Sequence, residues 1–213
     1  MEAEVMAADD VGTYDGGAKR RQIMDGARAV FLNDGFDGAS MNDVARAAGV
    51  SKGTLYAYFE SKEQLFETLI REDRGQQAER LCHFPRAPSD PREFLGEFGR
   101  RLIEMMTRSE MIAQLRVVIA ATGKFPRLGR AFYDAGPCYG VSKLAEQLRA
   151  LTASGALEIP DAERAARQFI DLCKSGVFNA VLFGAVESVP PQEIEASVDA
   201  AVEVFLRAYG AKA

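Results

Sequence analysis

Lys52, Thr54, Tyr56 and Tyr58 fall within seven residues, directly after Ser51 and around Gly53. One ammonium and three hydroxyls suit contact with a phosphodiester backbone, whose oxygens they satisfy. A threonine such as Thr54 also reaches a base edge or a thymine methyl group. On a helix, Ser51 and the free N–H groups of the first turn meet the same phosphate as Lys52, and Gly53 permits close approach. Tyr56 and Tyr58 offer hydroxyls to phosphate and ring surface to sugar or base, and Lys62 is placed for a further backbone contact.

Catalysis has little to draw on. His83 is the only histidine, and the chain holds no phosphate-binding glycine loop, nucleophile motif or metal-ligand spacing. Cys82 adjoins His83, but neighbours on a helix point about 100° apart, which disfavours a dyad. Cys82, Cys138 and Cys173 are odd in number and widely spaced. Reduced thiols are expected, with neither a disulfide framework nor a zinc site, so no metal and no cofactor are assigned.

The candidate residues need a rigid carrier. Ser40, with Asp43 three residues on, reads as the N-cap of a short helix. Gly49 ends it in a tight turn, and Ser51 caps a second short helix over residues 52–58. Val44, Ala45, Val50, Leu55 and Phe59 supply apolar contacts that lock the pair together. Two such helices joined through a glycine form a helix-turn-helix, which presents its second helix to a DNA major groove. Before the pair, Ile23, Ala27, Val30 and Phe31 recur at helical spacing up to the turn-rich stretch 33–38; after it, Ser61 caps a longer helix reaching about residue 81.

Residues 1–18, rich in Asp, Gly and Ala, read as a flexible arm, with a DNA-binding domain over 19–65 and a second domain over 66–213. Three prolines between Phe84 and Pro91 are a further candidate boundary. Helices follow at about 93–108, 110–121, 128–134, 139–154, 161–184 and 191–209, and no strand is predicted, so the fold class is all-α. The net charge of −5 argues against whole-surface attraction to nucleic acid or anionic membrane, so any basic surface must be local. No apolar run reaches the roughly 20 residues of a spanning helix, and the first residues lack a signal peptide's pattern; no membrane association and a cytoplasmic location are expected.

The run Asp43-Val44-Ala45-Arg46-Ala47-Ala48-Gly49-Val50-Ser51-Lys52-Gly53-Thr54-Leu55-Tyr56-Ala57-Tyr58-Phe59 resembles the DNA-binding signature of the TetR/AcrR family. Ala29-Val30-Phe31 before Gly35-Phe36, and Ser61-Lys62-Glu63-Gln64-Leu65, extend the resemblance over roughly residues 20–71. It implies an N-terminal three-helix DNA-binding domain followed by a larger helical ligand-binding and dimerisation domain. Positions matching Ser51, Lys52, Gly53, Thr54, Tyr56, Tyr58 and Lys62 commonly contact DNA in that family, and Ser40 is counted with them. Lys19, Arg20 and Arg21 match the basic start of its first helix, which touches phosphate or lies in the minor groove. Ala57 departs from the frequent His or Tyr, so the resemblance carries over the docking mode but not which bases are read. The implied partners are double-stranded operator DNA, a small-molecule effector and a second copy of the chain, in a repressor that releases a near-palindromic site. A two-fold dimer spaces its recognition helices about one DNA turn (~34–36 Å) apart.

For the second domain, Phe169, Cys173, Gly176, Ala180 and Phe183 form one apolar stripe of the 161–184 segment and Ile170, Val177 and Val181 another. With Val198, Val202 and Phe205 of the last helix, the residues Phe169, Gly176, Val177, Ala180 and Val181 are the candidate dimer interface, the alternative being the monomer's own core. Met105, Met106, Phe125, Phe132, Tyr133, Tyr139, Phe169 and Cys173 are the candidate ligand-pocket residues, again against ordinary core packing. A helical protein-interaction module without DNA binding remains the alternative to a regulator.

Overall fold

The computed structural model describes residues 12–82 and 90–211, with side chains over 16–81 and 90–211. Eleven α-helices are formed there: α1 (Gly12–Gly38), α2 (Met41–Ala47), α3 (Lys52–Tyr58), α4 (Lys62–Cys82), α5 (Pro91–Met106), α6 (Ser109–Thr122), α7 (Pro126–Tyr133), α8 (Tyr139–Ala153), α9 (Ala162–Lys174), α10 (Val177–Leu182) and α11 (Pro191–Tyr209). Among the described residues the only extended pairing is an isolated bridge between Leu157 and Gly210. No helix described is long and apolar enough to cross a membrane.

The chain divides into two compact units, Met1–Leu69 and Ile70–Ala213, so the division lies inside α4, a few residues beyond the boundary predicted at 65/66. Most of the alternative proline-rich boundary, and residues 1–11 of the expected arm, lie outside the described residues. Residues 12–18 correct the rest of the arm: they continue α1 ahead of the predicted start at Lys19. Gly16 and Gly17 weaken helix propensity there, but propensity is a small term that a tertiary contact overrides. Tyr58 supplies one, donating its hydroxyl to Gly16 O at 3.4 Å.

The N-terminal unit is built on α1–α3 and the first turns of α4. Ile23, Ala27, Val30 and Phe31 of α1 are buried, as their spacing predicted, together with Phe36, Val44, Leu55, Phe59, Leu65 and Phe66. Phe31, Phe36 and Phe66 form an aromatic cluster with ring centroids 4.6–5.9 Å apart. Helical geometry in α1 breaks at Gly35, whose φ of +69° glycine adopts without a Cβ penalty.

The C-terminal unit packs α5, α8, α9 and α11 around one core. Phe94 and Phe98 of α5, Phe169 of α9, and Phe205 and Tyr209 of α11 make a continuous file of rings, each centroid 4.9–6.3 Å from the next. Asp90 caps α5 by accepting from Arg92 N at 2.8 Å, with Pro91 in the first turn. The single helix predicted over 161–184 is two, α9 and α10, separated at Ser175 and Gly176. Gly176 has φ +85°, so the chain changes direction where sequence periodicity alone ran straight through. Between α7 and α8, residues 134–138 form one wide π-type turn containing Pro137.

Candidate nucleic-acid interface and effector cavity

Each element of the helix-turn-helix is fixed by a cap. Ser40 Oγ accepts from Asp43 N at 3.3 Å at the start of α2. Its hydroxyl also donates to the Asp43 carboxylate, and this bond, with Arg46 beside it, holds Asp43 below the usual carboxylate range. Gly49, at φ +61°, makes the turn, and Val50 N returns to Ala45 O at 3.0 Å. Ser51 Oγ accepts from Thr54 N at 3.0 Å and shares a hydrogen bond with Thr54 Oγ1 at 2.8 Å. Leu55 and Phe59 anchor α3 in the core.

The opposite side of α3 is left to solvent. Ser51, Lys52 and Gly53 are exposed, Tyr56 is 50% exposed, and Thr54 is half-buried. Lys52 and Tyr56 are one turn apart and share a face. Arg21 is exposed on α1. This face can therefore offer an ammonium, hydroxyls and free N–H groups to phosphate while Leu55 and Phe59 hold the helix.

Besides Ser51 and Thr54, four of the residues expected to contact DNA have partners inside the chain. Lys62 Nζ donates to Phe36 O at 2.7 Å and Ala39 O at 2.9 Å and lies 4.5 Å from the Phe36 ring centroid. It ties the end of α1, in place of the outward orientation expected. Tyr58 is turned to Gly16, Ser40 serves the α2 cap, and Arg20 sits over the Phe59 ring at 5.9 Å. Two residues that sequence reasoning passed over complete the motif. Gln22 Nε2 donates to Ala48 O at 2.6 Å, closing the end of α2. Gly26 lets α1 approach so closely that a Cβ there would fall 2.6 Å from Ala48 N.

The C-terminal unit holds a partly open cavity of about 390 Å³. Of the candidate pocket residues, Met105, Met106, Phe132 and Tyr133 line it, joined by Met111, Leu115 and Phe178. The other four predicted pocket residues do not line it. Phe169 and Cys173 are 0% exposed and belong to the core between α5, α9 and α11. Tyr139 lies beneath Lys143, and Phe125 occupies the turn before α7. Burial raises the Cys173 thiol to about 12.

Two polar residues of α4, Arg74 and Gln77, reach the cavity and carried no sequence signal, since both sit in a run of charged and amide residues that reads as a solvated face. Arg74 is 4% exposed. It donates to Met111 Sδ and to Gln114 Oε1 and lies 5.1 Å from the Phe132 ring centroid. Burial lowers its pKa to about 10, against a smaller opposing effect of Asp73.

Residues 23–69 match the bacterial regulatory proteins of the tetR family, and residues 93–211 match the C-terminal domain of AefR-like transcriptional repressors. The chain belongs to the TetR family of transcriptional regulators. A TetR-family regulator from Mesorhizobium loti superposes with TM-score 0.82 at 30% identity, over 91% of this chain and 98% of that one. The flavonoid-responsive regulator FrrA superposes with TM-score 0.78 at 34% identity, over 92% and 100%. The transcriptional repressor Rv1474c of Mycobacterium tuberculosis is 43% identical over 61 residues, 29% of this chain and 33% of that protein. The chain thus spans about a third of the length of the curated relatives it matches.

In this TetR-family chain the dimer-interface residues expected from periodicity are largely core. Phe169, Val177, Val181, Val198, Val202 and Phe205 are at most 5% exposed within one chain, so they have no surface left for a partner. Gly176 is exposed and Ala180 half-buried. The large apolar side chains that remain outward near them are Phe183, 82% exposed, with Val186 after α10 and Val204 on α11.

Proposed function

We propose that this chain is a homodimeric transcriptional repressor, acting in the cytoplasm, that binds near-palindromic operator DNA through α3 and releases it when a small molecule fills the cavity of its C-terminal unit. The observation that carries the reading is α3 itself: capped by Ser51, anchored by Leu55 and Phe59, and open along Lys52, Gly53 and Tyr56. Arg21, Ser51 and Thr54 supplement that face, while Lys62, Tyr58, Ser40 and Arg20 act by holding the motif in shape. FrrA is named as a flavonoid-responsive regulator, which supports an effector for the cavity here.

α4 is one continuous helix that contributes Leu65 and Phe66 to the first unit's core and Arg74 and Gln77 to the cavity wall of the second. A ligand that binds one setting of α4 better than another shifts the equilibrium by that difference in affinity. Selection of genome fragments with the purified chain tests the DNA reading. A recovered near-palindromic site bound more weakly by Lys52→Ala supports it, and failure to enrich any sequence, with or without candidate effectors, favours a helical interaction module.

A further inference from the structure

The walls of the effector cavity are apolar over most of their extent, with the thioethers of Met105, Met106 and Met111 and the rings of Phe132 and Phe178. Polar residues also line it, and two of them, Arg74 and Gln77, lie one turn apart on α4. Arg74 is a buried cation whose two hydrogen bonds go to neutral groups, Met111 Sδ and Gln114 Oε1. The neighbouring acid, Asp73, is reached through Gln114, whose Nε2 donates to Asp73 Oδ2 at 3.4 Å. Gln77 Oε1 is buried and has no hydrogen-bond partner.

The remaining cations of the lining are already matched. Arg167 pairs with Glu163 at 3.3 Å and Lys174 with Asp171 at 2.6 Å. Burying a charge beside neutral partners, and an acceptor beside none, costs free energy that the closed core does not return. Both groups face a space in which a ligand can complete them. The guanidinium carbon lies 5.1 Å from the Phe132 ring centroid, two of its five N–H groups go to Met111 and Gln114, and a carboxylate is the acceptor that matches the planar fork of those that remain. Gln77 Oε1 accepts only, so the ligand must donate to it. Side chains at i and i+3 of a helix stand about 5–6 Å apart, so the ligand's anion and its donor must lie within a few bonds of each other.

We propose that this cavity takes an amphipathic organic acid, with its apolar body against the methionine wall, its carboxylate on Arg74 and an adjacent hydroxyl or N–H donated to Gln77 Oε1. The inference rests on the reading of the cavity as the effector site and specifies which chemistry that site selects. Its volume of about 390 Å³ is at the small end of ligand pockets, roughly 300–1,000 Å³, which suits a medium-chain or single-ring acid.

Calorimetric titration of the full chain near neutral pH with four probes of one body tests it: β-hydroxydecanoate, decanoate, methyl β-hydroxydecanoate and decylamine. The hydroxy acid is expected to bind roughly tenfold or more tighter than its methyl ester, and decanoate to fall between them. In Arg74→Met the preference for acid over ester disappears while ester binding persists; in Gln77→Met the preference for hydroxy acid over decanoate disappears. The comparison among probes on the unaltered chain stands even where a variant folds poorly. Ester or amine binding as tight as the acid overturns the inference and leaves the cavity as an effector site of other selectivity. Binding of no probe overturns the acid inference and counts against the effector reading as well.

Discussion

Gly26 and Ala48 bring α1 and α2 to a separation that excludes a side chain: a Cβ at Gly26 would lie 2.6 Å from Ala48 N and 2.7 Å from Ala48 Cβ. The contact sits next to the Gln22 cap on Ala48 O, so one stretch of α1 sets the position of the whole helix-turn-helix. Gly26→Ala drives a methyl group into Ala48 and is expected to destabilise the N-terminal unit by about 1–3 kcal/mol, although alanine is the better helix former. Urea denaturation followed by circular dichroism measures this; an unchanged midpoint would show that the helices part without cost.

Two lysines near the recognition helix are expected to behave differently. Lys52→Ala should leave the melting temperature in place while weakening DNA binding across sequences and lowering the slope of log K against log salt by about one. Lys62→Met breaks the hydrogen bonds to Phe36 O and Ala39 O and is expected to lower stability by about 1–3 kcal/mol. Paired thermal melts and salt-dependent binding separate the two roles.

Arg74 predicts a pH-dependent stability difference. Burial lowers its pKa to about 10, so below that pH both folded and unfolded chains carry the proton and the full cost of the buried charge is present. Between about 10 and the ordinary arginine value the unfolded chain holds more protons, and stability contributed by this group rises with pH. Arg74→Met is therefore expected to be more stable than the original chain near neutral pH by about 1–3 kcal/mol, and the gap to narrow above pH of about 10. Denaturation of both proteins across that range checks the sign.

The cysteines should differ sharply in reactivity. Cys138 is exposed on the π-type turn that lines the cavity, whereas Cys173 is fully buried with its thiol raised to about 12. Brief alkylation at mildly alkaline pH is expected to modify the Cys138 peptide and spare that of Cys173 by mass spectrometry. Rapid labelling of Cys173 would mean that the α5–α9–α11 core opens readily.

For self-association, Phe183→Glu places a charge on the most exposed large apolar side chain described beside α10. It is expected to yield monomers in light scattering and to abolish tight operator binding with α1–α3 still folded. Retention of the dimer would put the interface elsewhere.

Most of the helices were legible because periodicity, caps and prolines agree locally: Ser40, Ser51, Asp90 and Asp161 each cap the helix they precede. The break at Gly176 was not, since an apolar run reads the same whether or not one glycine turns the chain. The two sides of α3 were legible, with Leu55 and Phe59 inward and Lys52 and Tyr56 outward. Lys62 was misread because a cation beside a DNA-binding helix has the same sequence signature whether it faces phosphate or two carbonyl oxygens. The dimer stripe failed for a related reason: periodicity marks Val198 and Phe205 as apolar-facing without saying whether the facing surface belongs to the same chain. Arg74 was invisible because its burial depends on Met111 and Phe132, distant in sequence, and Gln77 because a run of charged and amide residues reads as a solvated face.

The three methionines of the cavity wall have a consequence for how such a receptor changes over time. Unbranched thioethers rearrange around bodies of different outline at little energetic penalty, so the wall tolerates many shapes while Arg74 and Gln77 judge the head group. Under the proposed effector reading, a lineage carrying this arrangement can retune which molecule it answers to by exchanging single wall residues, leaving α1–α3 untouched.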